Sequence, residues 1–134
     1  MNDIKQVIIV RTKYPDPDKE GQFKKVRTGK LIDQACHGSM AFLTRQLQNS
    51  GAISLSAVEK EWIDSIFAKV CVQVETEQEL KDLQTKAEMA GLTAHLVIDS
   101  GLTEFRGVPT VTCLVIGPDF SEKIDPIAKD LKLY

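Results

Sequence analysis

Residues Ile4–Val10 read Ile-Lys-Gln-Val-Ile-Ile-Val and close on four consecutive β-branched apolar side chains. A strand with one wet face alternates apolar and polar residues. An unbroken apolar run marks a strand covered on both faces, which needs helices on two sides of a sheet. The rest of the chain supplies those helices in alternation with further strands. Leu31, Ile32, Ala35, Cys36, Phe42 and Leu43 recur at helical spacing, predicting an amphipathic helix from Gly29 to about Leu47 with Cys36 on its apolar side. Asn49-Ser50-Gly51 ends it, and Ser54–Asp64 reads as a second, short helix.

Phe67–Val74 reads as a strand. Thr76-Glu77-Gln78-Glu79 then forms a capping box that opens a helix with Leu80, Leu83, Ala87 and Ala90 on its apolar face. Gly91 stands where a left-handed C-terminal residue belongs. Ala94–Ile98 and Thr110–Ile116 are strands, the second closed by Gly117-Pro118, and a last helix of about ten residues starts at Asp119 or Ser121. Arg11–Thr28, with Pro15, Pro17 and Gly21, reads as one long loop, and long ordered loops are often functional. The fold class is α/β, a three-layer α/β/α sandwich. In such sheets sites gather at the carboxyl ends of strands, which nominates Arg11–Lys30 and Asp99–Thr112.

The 134 residues suffice for one domain that folds without disulfides or structural metal. The three cysteines are expected to be reduced thiols, and no apolar run reaches the roughly 18 residues of a membrane span. Met1–Gln6 lacks a basic n-region and a long apolar h-region, so a cytoplasmic address is expected. The net charge of −2 opposes indiscriminate nucleic-acid coating. Its distribution is uneven, however: +4 over residues 1–47 and −6 over the remainder, with Lys19, Lys24, Lys25, Arg27 and Lys30 crowded together. That cluster reads either as a solvated loop or as a phosphate contact.

Lys30, Gln34 and His37 lie four and three residues apart, on one stripe of the first helix, which begins with free backbone N–H groups beside Lys30. The stripe is either a polar, solvated edge or part of a site. Asp99 directly follows an apolar strand, with Thr103 and Thr112 near the same edge. Such a carboxylate can orient a water or simply cap the Asp99-Ser100-Gly101 turn. Cys36 and His37, adjacent on a helix, point about 100° apart and do not form a nucleophile–base pair. Phosphate-loop, dinucleotide and nucleophile-elbow motifs are absent from the sequence, and no short metal-ligand spacing occurs.

Gly29-Lys30-Leu31-Ile32-Asp33-Gln34-Ala35-Cys36-His37 resembles the Gly-Lys-x-x-x-Gln-x-x-His signature of the type 2, archaeal and eukaryotic, peptidyl-tRNA hydrolases. Asp99-Ser100-Gly101-Leu102-Thr103-Glu104 is similar to that family's Asp-Ala-Gly-x-Thr-Glu segment. Thr110–Pro118 is similar to its Thr-Val-Thr-x-Leu-x-Ile-Gly-Pro strand, and Leu131–Tyr134 to its ending. The blocks occur in family order over nearly the whole chain.

The resemblance implies a single type 2-like domain over residues 1–134 with a four-stranded mixed sheet, commonly dimeric. It also implies hydrolysis of the ester between a peptide and the 3′ ribose of tRNA, without a metal cofactor. The site residues it implies are Lys30, Gln34, His37, Asp99, Thr103 and Thr112, with Lys24, Lys25 and Arg27 toward tRNA. Two departures stand out. The first loop is about ten residues longer than the family's, and Thr28 occupies the place of the first lysine of Lys-Gly-Lys, a residue the family counts as catalytic. One extra residue also separates Thr103 from Thr110-Val111-Thr112. A non-catalytic RNA- or protein-binding module, or a hydrolase of another ester or amide, would fit the same fold.

Overall fold

The computed structural model describes residues 3–134. Met1 and Asn2, part of the segment examined for a signal sequence, lie outside them. The chain runs β1 (Ile4–Arg11), β2 (Tyr14–Pro15), β3 (Phe23–Lys24), α1 (Thr28–Ser50), α2 (Ala57–Asp64), β4 (Lys69–Val74), α3 (Glu77–Met89), β5 (Ala94–Asp99), β6 (Thr110–Phe120), α4 (Ser121–Ala128) and β7 (Lys132–Leu133). The main sheet is mixed, in the order β5-β6-β1-β4-β7, with β1 parallel to β4 and antiparallel to β6.

The unbroken apolar run of β1 serves two cores at once. Val7 and Ile9 pack with Leu80, Leu83 and Ala87 of α3 and Ile124 of α4. Ile8 and Val10 face the other way, with Val97, Cys113 and Val115, against Ala35 of α1. Ile4, Phe42 and Trp62 fill the space between α1, α2 and the sheet. The three layers expected from the sequence are therefore present: α3 and α4 cover one face, α1 and α2 the other. No helix among the described residues is long and apolar enough to cross a membrane.

The sheet has five strands rather than the expected four. The fifth is only two residues long: Lys132 and Leu133 pair with Gln73 and Val72, and the Gln73 amide donates to the Leu133 carbonyl at 2.8 Å. A strand that short carries no periodicity to read. β6 does not close at Gly117-Pro118 but runs on to Phe120 through a cis Gly117–Pro118 bond. A register irregularity opposite Lys5 and Val7 accommodates the extension. The Arg11–Thr28 segment is also not simply loop, because β2 and β3 form a small antiparallel hairpin. It is pinned by Tyr14, which is buried between the Arg11 guanidinium, 4.4 Å from the ring centroid, and Phe105, 5.1 Å away.

Capping chemistry sets the helix ends. Thr76 and Glu79 make the expected capping box, and a second one, Ser56 with Glu59, starts α2 at Ala57 rather than Ser54. Gly91 takes the left-handed conformation expected of it, at φ 77°. α1 runs on to Ser50 and stops at Gly51, at φ 73°, whose N–H bonds the Leu47 carbonyl. Its buried residues are Leu31, Gln34, Gly38, Ala41 and Phe42. Cys36, expected on the apolar side, is exposed: two positions beyond Gln34, it is turned about 200° away from the sheet. Cys113 is the buried thiol, pushed up to about 12 by burial.

At Gly38 the helix sits directly on the sheet. A Cβ there would lie 2.5 Å from Val115 Cγ2 and 3.1 Å from Val97 Cγ2. Val115 is fully buried, and its branched side chain is stiff about χ1. Alanine's helix propensity favours it by about 1 kcal/mol over glycine, but overpacking of this kind costs about 1–3 kcal/mol. Gly38→Ala is therefore expected to lower stability, or at best leave it level, in equilibrium urea unfolding. A gain would show that α1 does not ride on Val115.

Candidate active site

The carboxylate of Asp99 ends β5, is 8% exposed, and is where α1 meets the sheet. Three donors satisfy it. Lys30 Nζ and Gln34 Nε2 reach Oδ1 at 3.2 and 3.1 Å, and the Gly101 N–H reaches Oδ2 at 2.9 Å. Lys30 and Gln34 lie one helical turn apart, so one face of α1 presents both to the same oxygen. Gln34 is buried in the helix face that meets the sheet, not on a solvated edge. Its other amide atom, Oε1, accepts the Thr112 hydroxyl at 2.6 Å, and Thr112 is itself buried on β6. That bond fixes the amide with its NH₂ toward Asp99.

Gly101 makes the turn possible. Its φ is 81°, and a Cβ would fall 2.1 Å from the Val108 carbonyl oxygen, so only glycine fits while its N–H addresses Asp99. The Asp99 carboxylate thus does cap its turn, and it also binds Lys30 and Gln34. Of the two readings left open by the sequence, the turn cap is the one that the Gly101 bond shows.

Lys30 also lines a shallow cavity of about 340 Å³ with Arg27, Gly29, Asp33, Thr103 and Glu104. Thr103 is exposed at its rim rather than beside Asp99. His37 is also exposed and does not face Asp99. Its Nε2 lies 2.9 Å from Asp33 Oδ1, and Asp33 Oδ2 lies 3.7 Å from Lys30 Nζ, so His37 meets the cluster through two intermediaries. Of the basic loop residues, Arg27 reaches this cavity. Lys24 instead lies over the Phe105 ring at 5.5 Å, and Lys25 is exposed. Thr28 is the exposed first residue of α1. Among the described residues no group of three or more His, Cys, Asp or Glu is arranged to hold a metal ion.

Sequence reasoning assigned no role to Glu104. It is 7% exposed and accepts from Arg27 twice, from Nε at 2.5 Å and from the backbone N–H at 3.4 Å. Arg27 is the N-cap of α1 and makes no side-chain cap of its own. Glu104 therefore holds the start of the helix that carries Lys30. A buried acid facing a basic helix start was the available signal, but the two lie 77 residues apart in sequence. The hydrogen bond from Arg27 holds the Glu104 carboxyl below its usual range. The stabilisation is thus complete above the ordinary glutamate value of 4.5 and is lost as pH falls through the lowered folded value. Glu104→Gln is expected to be less stable than wild type at neutral pH, with the difference shrinking on acidification. A difference that stays constant in urea midpoints from pH 7 to 3 would remove Glu104 from this role.

The family model described as "Peptidyl-tRNA hydrolase PTH2" matches residues 4–134. A "Probable peptidyl-tRNA hydrolase 2" of Dictyostelium discoideum is 34% identical over 134 residues, all of this chain and 56% of that protein. The chain thus spans little more than half the length of that relative. A "Peptidyl-tRNA hydrolase" of Methanothermobacter thermautotrophicus is 36% identical over 130 residues, 97% of this chain and 99% of its own length. One of Methanopyrus kandleri is 36% identical over 129 residues, covering 96% and 97%.

Proposed function

The chain belongs to the PTH2 family of peptidyl-tRNA hydrolases, and on that footing we propose that it hydrolyses the ester joining a peptide to the 3′ ribose of tRNA, releasing the tRNA for reuse in translation. The observation that carries the mechanism is the convergence of Lys30, Gln34 and the Gly101 amide on one buried carboxylate, with Lys30 also lining an open cavity. Ester hydrolysis needs an oriented water, a proton acceptor and a donor for the oxyanion. Asp99 takes the first two roles: its fixed oxygens orient the water and accept its proton. Gln34, locked by Thr112, keeps the carboxylate in one rotamer. Lys30, at the boundary between Asp99 and the cavity, offers its ammonium to the oxyanion. Thr103 contacts the substrate from the rim, and His37 acts through Asp33 to position Lys30.

Thr28 removes one cation that the family's motif supplies. In this reading Arg27 replaces it, because it is the loop cation that lines the Lys30 cavity. Lys24 and Lys25 then serve the tRNA backbone. The reaction takes place in the cytoplasm, in a domain spanning residues 1–134, with no metal.

The active form is a homodimer in this proposal. Support comes from the open edge of the sheet at β5, where Ile98 and Met40 are 58% and 56% exposed beside a groove that also includes Arg45 and Gln48. Sedimentation equilibrium is expected to give twice the chain mass. A monomer at micromolar concentration would overturn this part.

The test of function is release of free tRNA from an N-blocked aminoacyl-tRNA. Wild type is expected to turn over and Asp99→Ala to be inactive. Lys30→Ala is expected to lose about 10²–10³ in rate, the usual cost of one oxyanion donor. Near-normal turnover by Lys30→Ala would remove it from the mechanism. Binding without turnover by folded wild type would favour the non-catalytic reading.

A further inference from the structure

A second cavity, of about 240 Å³, lies between the β2–β3 hairpin and the segment after β5, and Glu104 lines both it and the Lys30 cavity. Its walls combine flat apolar groups (Pro15, Pro17, Phe105) with Arg11, Tyr14 and Lys24. They are held together in advance. Phe105 stacks on Tyr14, and Arg106 pairs through both guanidinium NH groups with Asp18 of the hairpin.

Two features of this cavity are unmatched inside the protein. Arg11 is 8% exposed, yet its guanidinium donates only to the carbonyls of Lys13 and Val111 and lies on the face of Tyr14. Among the described residues no carboxylate pairs with it. A buried cation without a counter-charge is costly and favours a bound anion. The Tyr14 hydroxyl, in a side chain only 2% exposed, has no hydrogen-bond partner among the described residues.

Aromatic faces beside cations are how single-stranded nucleic acid is held: bases stack on the rings and phosphates meet the charges. We propose that this cavity seats one nucleotide of the substrate's unpaired 3′ end. The base lies against Phe105 and the prolines, and the phosphate is directed to Arg11 and Lys24. An apolar peptide side chain would leave both Arg11 and the Tyr14 hydroxyl unmatched, whereas a nucleotide brings an anion, a flat face and a polar edge together. The inference rests on the peptidyl-tRNA reading for its choice of ligand. The shared Glu104 wall places the nucleotide next to the ester position at Lys30 and Asp99.

The test titrates the ¹⁵N-labelled full chain with the RNA trinucleotide CCA, with N-acetylphenylalaninamide and with inorganic phosphate in separate arms. The trinucleotide is expected to shift the amides of Tyr14, Lys24, Phe105 and Arg106. Phe105→Ala is expected to weaken its binding about tenfold or more, and Phe105→Trp to restore it. Should Phe105→Ala fail to fold, Phe105→Leu keeps the apolar bulk without the aromatic face and is expected to show the same loss. Trinucleotide shifts confined to other surfaces would overturn the proposal, as would occupation of the cavity by N-acetylphenylalaninamide instead. Phosphate matching the trinucleotide in affinity would overturn the base contact. Turnover of N-blocked aminoacyl-tRNA, measured on the same sample, separates the two readings. Hydrolysis without trinucleotide shifts at the cavity defeats the cavity alone. Shifts without hydrolysis support the nucleotide site and defeat the hydrolase.

Discussion

A carboxylate buried at the end of a strand must be satisfied, and the arrangement around Asp99 follows from that requirement. Its three partners come from two places: the Gly101 N–H in the next turn, and Lys30 and Gln34 on a helix begun some 70 residues earlier. Satisfying Asp99 therefore also docks the N-terminal half of α1 onto β5 and β6, with Thr112 fixing the orientation of the Gln34 amide. Further along, Gly38 lets the same helix approach Val115 and Val97. A shift of α1 away from the sheet would leave both a buried charge and a buried amide unpaired. Folding and site assembly are thus one event at this corner.

The elements easiest to read from sequence were those whose signal is local. The β1 run, the Thr76–Glu79 box and Gly91 each act within a few residues, and the structure carries them where expected. The helical stripe was read less well. Period alone set Cys36 among the apolar residues and left Gln34 on a stripe that was either a solvated edge or part of a site, whereas the sheet buries Gln34 and leaves Cys36 exposed. Hydrophobicity ranks glutamine as a surface residue, and only the partner at Thr112, 78 residues away, makes its burial tolerable. The same limit hid Glu104, whose partner Arg27 is equally remote, and β7, which is too short for a pattern. Lys30, Asp99 and Thr112 could be nominated because strand ends and helix starts on an α/β sheet converge. Their mutual distances could not.

The segment between β1 and α1 builds the surroundings of that corner. Its hairpin folds back through Tyr14 and Asp18 onto Phe105 and Arg106, giving the segment after β5 a wall it would otherwise lack. Arg27 at the segment's end is tied to Glu104, so the chain enters α1 from a fixed point. Thr28, Arg27 and the hairpin thus form one structural unit at the start of α1, in which Arg27 lines the same cavity as Lys30.

The two-residue strand at the C-terminus has a consequence for assembly. By pairing with β4 it occupies one margin of the sheet, and the Tyr134 N–H adds a bond to the Cys71 carbonyl. At the opposite margin β5 has no strand beyond it among the described residues. A sheet with two open margins can recruit copies without end, as fibrils do. Two residues thus shield the Val72–Gln73 stretch of β4 from foreign strands, and their loss would bare it.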